Sequence, residues 1–132
     1  MANTTKTSDT MSPSAEVIRS LFDKAKNRDD AYFTSFTPNA LYQVANYPVA
    51  TGEKGIREFL APILALCEGV DHYIDKMWEI EPSKFVCQGS VVYHRRDGKV
   101  VPRIQTCNII QVDGDKIAEL RAYGDFTPLF NA

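Results

Sequence analysis

Asp125 stands in the C-terminal stretch KIAELRAYGDFTPLF, between Tyr123-Gly124 and the apolar group Phe126, Leu129 and Phe130. A carboxylate walled by aromatic rings loses solvation in its charged form, so its pKa rises and it becomes a usable general acid or base. The same residue after a glycine can instead cap the backbone and orient the tail. Strand alternation groups Leu120, Ala122 and Gly124 as the inward set, which favours the cap unless Gly124 resets the phase through a bulge. His72 carries the side chain best matched to proton transfer near neutral pH, and alternation gives it a face shared with Ile74 and Trp78. A place on the surface or in a subunit interface fits His72 equally well. His94, beside the Arg95-Arg96 turn, reads as solvated.

Uncharged polar residues add a second layer of candidates. Gln88, Ser90 and Val92 share one strand face, and Ile104, Thr106, Asn108 and Ile110 share a face of the next strand. On an earlier strand Tyr42, Val44 and Asn46 lie together. Apolar residues alternating with Gln, Ser, Thr and Asn suit a pocket that holds a mostly carbon skeleton and orients a few oxygens. The competing reading is that these groups bond neighbouring backbone. Asn108 fits that reading least easily, since a buried amide needs several partners.

The elements that must position these residues are marked by caps, periodicity and turns. Ser12 or Ser14 can cap a first helix, with Pro13 in its first turn and Glu16 placed to favour the dipole. Val17, Ile18, Leu21, Phe22 and Ala25 then fall on one face at helical spacing. Asn27-Arg-Asp-Asp breaks that helix and caps a short second one over Ala31–Phe36, whose aromatic residues can cover a cavity. A strand over 40–46 follows, then a helix over Ile56–Cys67 in which Pro62 implies a kink or break. Four strands over 71–80, 85–94, 100–112 and 117–123 complete the chain. Two Asp-Gly turns between them are hairpin signals.

With 132 residues, 44% of them hydrophobic and 24% charged, the chain can bury one sizeable core. Residues 1–13 read as a polar, flexible tail and 14–132 as a single domain. A net charge of −2 with no basic run argues against nucleic acid or anionic membrane as partner. No apolar run approaches the roughly 20 residues that span a bilayer, and the N-terminus lacks the apolar centre of a secretory signal. The three cysteines, Cys67, Cys87 and Cys107, sit in separate apolar segments without metal-ligand spacing. They read as buried free thiols in a cytoplasmic protein, with neither metal nor cofactor expected.

Three pieces of the sequence carry a family resemblance. Leu41-Tyr-Gln followed by Thr51-Gly-x-x-Gly-Ile-x-x-Phe-Leu is similar to the first strand and glycine-led third helix of the SnoaL-like, ketosteroid-isomerase-like branch of the nuclear transport factor 2 (NTF2) superfamily. Gly89-x-Val-x-Tyr with Arg96-Asp-Gly-Lys resembles its central hairpin, and Asp115-Lys-Ile-x-x-x-Arg-x-Tyr-x-Asp-x-x-Pro-Leu its last strand. The resemblance spans nearly the whole chain after the tail. It implies an α+β fold: a cone-shaped, curved antiparallel/mixed sheet wrapped around three N-terminal helices, a cystatin-like barrel with a deep apolar pocket.

The resemblance also implies a homodimer formed through the outer sheet face, where Tyr73 and Met77 would lie among Asp75, Arg103 and Arg121. Activities in the family range over cyclases, isomerases, dehydratases and epoxide hydrolases to pure binding proteins, so the fold does not fix the chemistry. The resemblance puts the faces of Gln88, Ser90, Thr106 and Asn108 inside, with Tyr42. The position matching the ketosteroid-isomerase base is Val44, with the amide Asn46 two residues on. The positions matching the epoxide-hydrolase Asp-Arg-Asp set are Gln88, Ser90 and Ala122, so neither set is present. What remains by analogy is Asp125 as acid/base, His72 with Tyr42 polarising a carbonyl, and Asn108 holding the oxyanion. The expectation is a cofactor-independent enzyme for a hydrophobic oxygenated small molecule, or a binding protein using the same cavity.

Overall fold

The computed structural model describes residues 12–132, so the tail expected over 1–13 falls outside it as far as residue 11. Helix α1 (Pro13–Lys26) begins at the residue after the first described one: the Ser12 hydroxyl accepts from the Ala15 N–H at 3.1 Å, with Pro13 in the first turn. It buries Ala15, Ile18, Leu21 and Phe22. The short second helix is a 3₁₀ turn (Asp30–Ser35) capped by the Asp29 carboxylate. Strand β1 (Phe36–Val44) starts earlier than expected and runs through Pro38 and Asn39; β2 (Ala50–Thr51) is a short edge. Helix α2 (Gly52–Leu66) continues through Pro62 without a break. Pro62 and Glu58, the residue whose carbonyl loses its partner, both lie on the exposed side of the helix, where the lost bond costs least.

Strands β3 (Cys67–Glu81), β4 (Lys84–Arg95), β5 (Ile104–Asp113) and β6 (Lys116–Tyr123) form an antiparallel meander, and α3 (Thr127–Phe130) ends the chain. β1 pairs in parallel with β6, giving a curved, unclosed mixed sheet of order β2-β1-β6-β5-β4-β3. The architecture is the expected α+β one, with helices against the concave face.

Bulges in β3 bend the long hairpin and change which residues face inward. The shift between Ile74 and Lys76 turns Met77, 1% exposed, into the core and Trp78 outward, opposite Val86. Met77 is therefore no outer-face residue, and Trp78 does not share the face of His72. Beside this bulge β4 comes so close that a Cβ on Gly89 would lie 1.8 Å from the Tyr73 carbonyl oxygen. On β4 the inward residues are Phe85, Cys87, Val91 and Tyr93, the reverse of the expected Gln88, Ser90 and Val92. Cys87 pairs with Asn108 and Val91 with Ile104, so the inward set on β5 is the expected one. Two clusters make up the core. One joins α1, the 3₁₀ turn and the sheet; in the other Phe126 and Leu129 cover Cys67, Val91, Val101 and Ile104. Burying those two side chains contributes about 1.5–3 kcal/mol each.

Candidate functional site

A cavity of about 250 Å³ lies between the end of α1, the 3₁₀ turn, β1, α2 and the first half of β3. Its wall is apolar, from Phe33, Leu60, Ile63 and Val70, and its polar interior comes from Tyr32, Tyr42, Tyr93 and His72. Alternation on β1 carries Tyr42 inward beside Ala40, and the 3₁₀ turn brings Tyr32 against it. The two buried hydroxyls are 2.9 Å apart. One donates to the other, so the pair holds a single shared proton and one further O–H. Edge-on contacts of both rings with Phe36, at 5.5 and 5.6 Å between centroids, fix their orientation. Burial raises the pKa of Tyr32, Tyr42 and Tyr93, leaving all three as neutral donors.

His72 enters from β3 one alternation after Val70. Its ring stacks on Phe22 at 4.7 Å, and burial depresses its pKa to about 4 against the opposing pull of Asp71. The imidazole is therefore neutral at pH 7. Its Nδ1 is sealed from solvent and bonds to no described residue. At the exposed end of the cavity stand Lys24, Arg28, Asp29 and Asp30. Asp30 is held by Arg57 at 2.7 and 3.0 Å, while Arg28, at φ 52°, donates to the carbonyls of Cys67 and Leu64 at 3.2 and 3.3 Å.

The other expected residues separate. Asp125 is exposed and lines neither cavity; its Oδ1 accepts from the Thr127 N–H at 3.1 Å and from the Thr127 hydroxyl at 2.6 Å. Those bonds lower its pKa. This geometry is a local turn leading into α3 (Thr127–Phe130), and Asp125 does not border the cavity. Gln88 and Asn46 are exposed, and Trp78 is half-buried on the outer face. Ser90 is buried but is covered by Arg103, whose guanidinium donates to its hydroxyl at 2.9 Å and lies over the Tyr73 ring. Thr106 and Asn108 do face inward, but they line a second, much smaller cavity, which His72, Gln88 and Ser90 also border. Sequence reasoning missed Tyr93 and Arg28. Tyr93 continues the apolar alternation Phe85, Cys87, Val91 and was legible from it. Arg28 had no local signal, since its partners lie more than thirty residues away in α2 and β3.

No protein-family model matches the sequence, and no curated protein matches it. Solved structures do. The chain superposes on TerC, co-crystallised with polyporic acid, at a TM-score of 0.78 and 16% identity, over 91% of this chain and 97% of that one. An NTF2-like protein of unknown function from Burkholderia pseudomallei K96243 gives 0.79 at 11% identity, over 92% and 97% of the two chains. A protein designated a SnoaL-like polyketide cyclase, from Jannaschia sp. CCS1, gives 0.75 at 14% identity, over 91% and 90%. Such identities speak for architecture. The fold of this chain is that of the NTF2-like proteins, SnoaL-like and ketosteroid-isomerase-like members among them, which is the resemblance its motifs carry.

Proposed function

We propose that this chain is a cofactor-independent enzyme acting by acid–base chemistry on a small, hydrophobic, oxygenated molecule, of the isomerase, cyclase or dehydratase kind. The observation that carries the reading is the convergence of His72, Tyr93 and the Tyr32–Tyr42 pair on one apolar-walled cavity. The neutral tyrosines can donate to an oxygen that gains negative charge as a carbonyl compound enolises, and the unprotonated nitrogen of neutral His72 can take the α-proton. The cavity volume lies near the small end of ligand pockets, which suits a ligand of one or two rings. The similarly folded TerC was crystallised with polyporic acid, which supports an organic occupant. The protein would act in the cytoplasm, and as a homodimer; Tyr73, Ile80 and Tyr123, exposed on the sheet, support the dimer.

A second reading, binding without turnover, is favoured by one observation: Asp125, the expected acid/base, faces solvent. One experiment separates the two. The protein is incubated with 2-tetralone in D₂O, and both binding and deuterium uptake beside the carbonyl are followed by NMR. An enzyme gives uptake above the buffer rate that Tyr42→Phe removes. A binding protein perturbs the tetralone signals with no added exchange. Absence of both overturns the proposal.

A further inference from the structure

Three tyrosines border the large cavity, and their hydroxyls are bonded differently. Those of Tyr32 and Tyr42 already hold each other at 2.9 Å. The Tyr93 hydroxyl has no such partner: burial and the nearness of Tyr42 and Cys67 raise its pKa, and no hydrogen bond contributes. It is deeply surrounded but not sealed. Among the described residues, the side-chain polar atoms that are both sealed from solvent and unbonded are His72 Nδ1 and Asn108 Oδ1, and the Tyr93 oxygen is not one of them. Part of that oxygen therefore stays open.

The space it opens on is the large cavity. Alternation on β4 carries Tyr93 inward after Val91, where its ring packs against the second core cluster. Across the hairpin it pairs with Val70, which borders the cavity together with Cys67 and Gly69. Tyr93 does not border the small cavity.

We propose that Tyr93 is the specificity-determining residue of this cavity, its free hydroxyl donating to an acceptor oxygen of the occupant. A hydroxyl held without a partner in an apolar wall is a standing penalty. An occupant that brings a carbonyl, enolate or ether oxygen to that place removes the penalty. An occupant of the same shape without the oxygen shuts water out and makes the penalty permanent, so the site rejects it. The Tyr32–Tyr42 pair cannot discriminate as sharply, because each of its hydroxyls keeps a partner whatever fills the cavity. The inference deepens the proposed function, resting on it for the cavity as ligand site; it needs no turnover and holds equally for a binding protein.

The test compares 2-tetralone with tetralin, the same two-ring skeleton without oxygen, on the full-length wild type and on Tyr93→Phe. Dissociation constants come from NMR titration. The hydroxyl lost in the variant has no partner in the protein, so the urea midpoint of Tyr93→Phe should equal or exceed that of the wild type. Tetralone should bind the variant more weakly and tetralin no more weakly, so that the preference for tetralone falls about tenfold. A urea midpoint lowered as far as in Tyr42→Phe would mean that the hydroxyl is bonded within the protein, and overturns the proposal without any ligand. Binding of both compounds with an unchanged preference in the variant overturns it too, while leaving the cavity as a ligand site. Binding of neither compound to the wild type removes the ligand site itself, and the inference with it.

Discussion

Replacing His72 by phenylalanine should flatten the acid side of the stability profile. In the folded chain burial holds the imidazole pKa at about 4, against about 6.5 in an unfolded chain. As pH falls through 6.5 the unfolded state takes up a proton that the folded state refuses, so stability drops as pH falls and levels off below pH 4. The gap of about 2.5 units, at about 1.36 kcal/mol each, gives a full loss of about 3 kcal/mol. Between pH 7 and pH 5 the share is about 2 kcal/mol. Phenylalanine keeps a ring against Phe22 and does not titrate. Any constant cost of the larger ring cancels, since the comparison is between slopes. Urea unfolding of both proteins from pH 7 to pH 5 measures it: the wild type should lose about 2 kcal/mol more than His72→Phe. Profiles that run parallel to within about 0.5 kcal/mol would refute the argument that His72 is buried and neutral.

Tyr42→Phe leaves the buried Tyr32 hydroxyl without its partner and should cost about 1–2 kcal/mol in chemical denaturation, while abolishing any ligand-carbonyl exchange. Asp125→Ala removes the turn bonds to Thr127 but touches neither cavity, so thermal stability should fall slightly while tetralone binding, followed by NMR, stays unchanged. Phe126→Ala empties the centre of the C-terminal cluster and should cost about 3–5 kcal/mol by urea unfolding.

Local signals placed the elements well because they depend on neighbours in sequence. The cap at Ser12, the face Ile18, Leu21 and Phe22, and the Asp-Gly turns all lie within a few residues of what they specify. Side-chain facing was harder. On β5, Ile104, Thr106, Asn108 and Ile110 point inward as alternation requires, because no bulge interrupts the strand's pairing with β4. On β4 the polar residues Gln88 and Ser90 suggest a pocket lining, whereas Phe85, Cys87 and Val91 are the apolar face that a core demands. On β3 the slip at Ile74 depends on how closely Gly89 approaches across the hairpin, a pairing fact that no period of two contains. Asp125 shows the same limit at a terminus. Its neighbours announced an apolar plug, and the plug is real, but the carboxylate bonds Thr127 on the solvent side.

Arg28 ties the α1–3₁₀ junction to the far end of α2 through the carbonyls of Leu64 and Cys67, while Arg96 bonds the Leu64 and Ala65 carbonyls from β4's end. Arg28, Leu64 and Cys67 all border the large cavity, so these bonds fasten three pieces of its wall that lie far apart in sequence. Cutting them by Arg28→Ala would loosen that wall without removing any of the buried donors inside it.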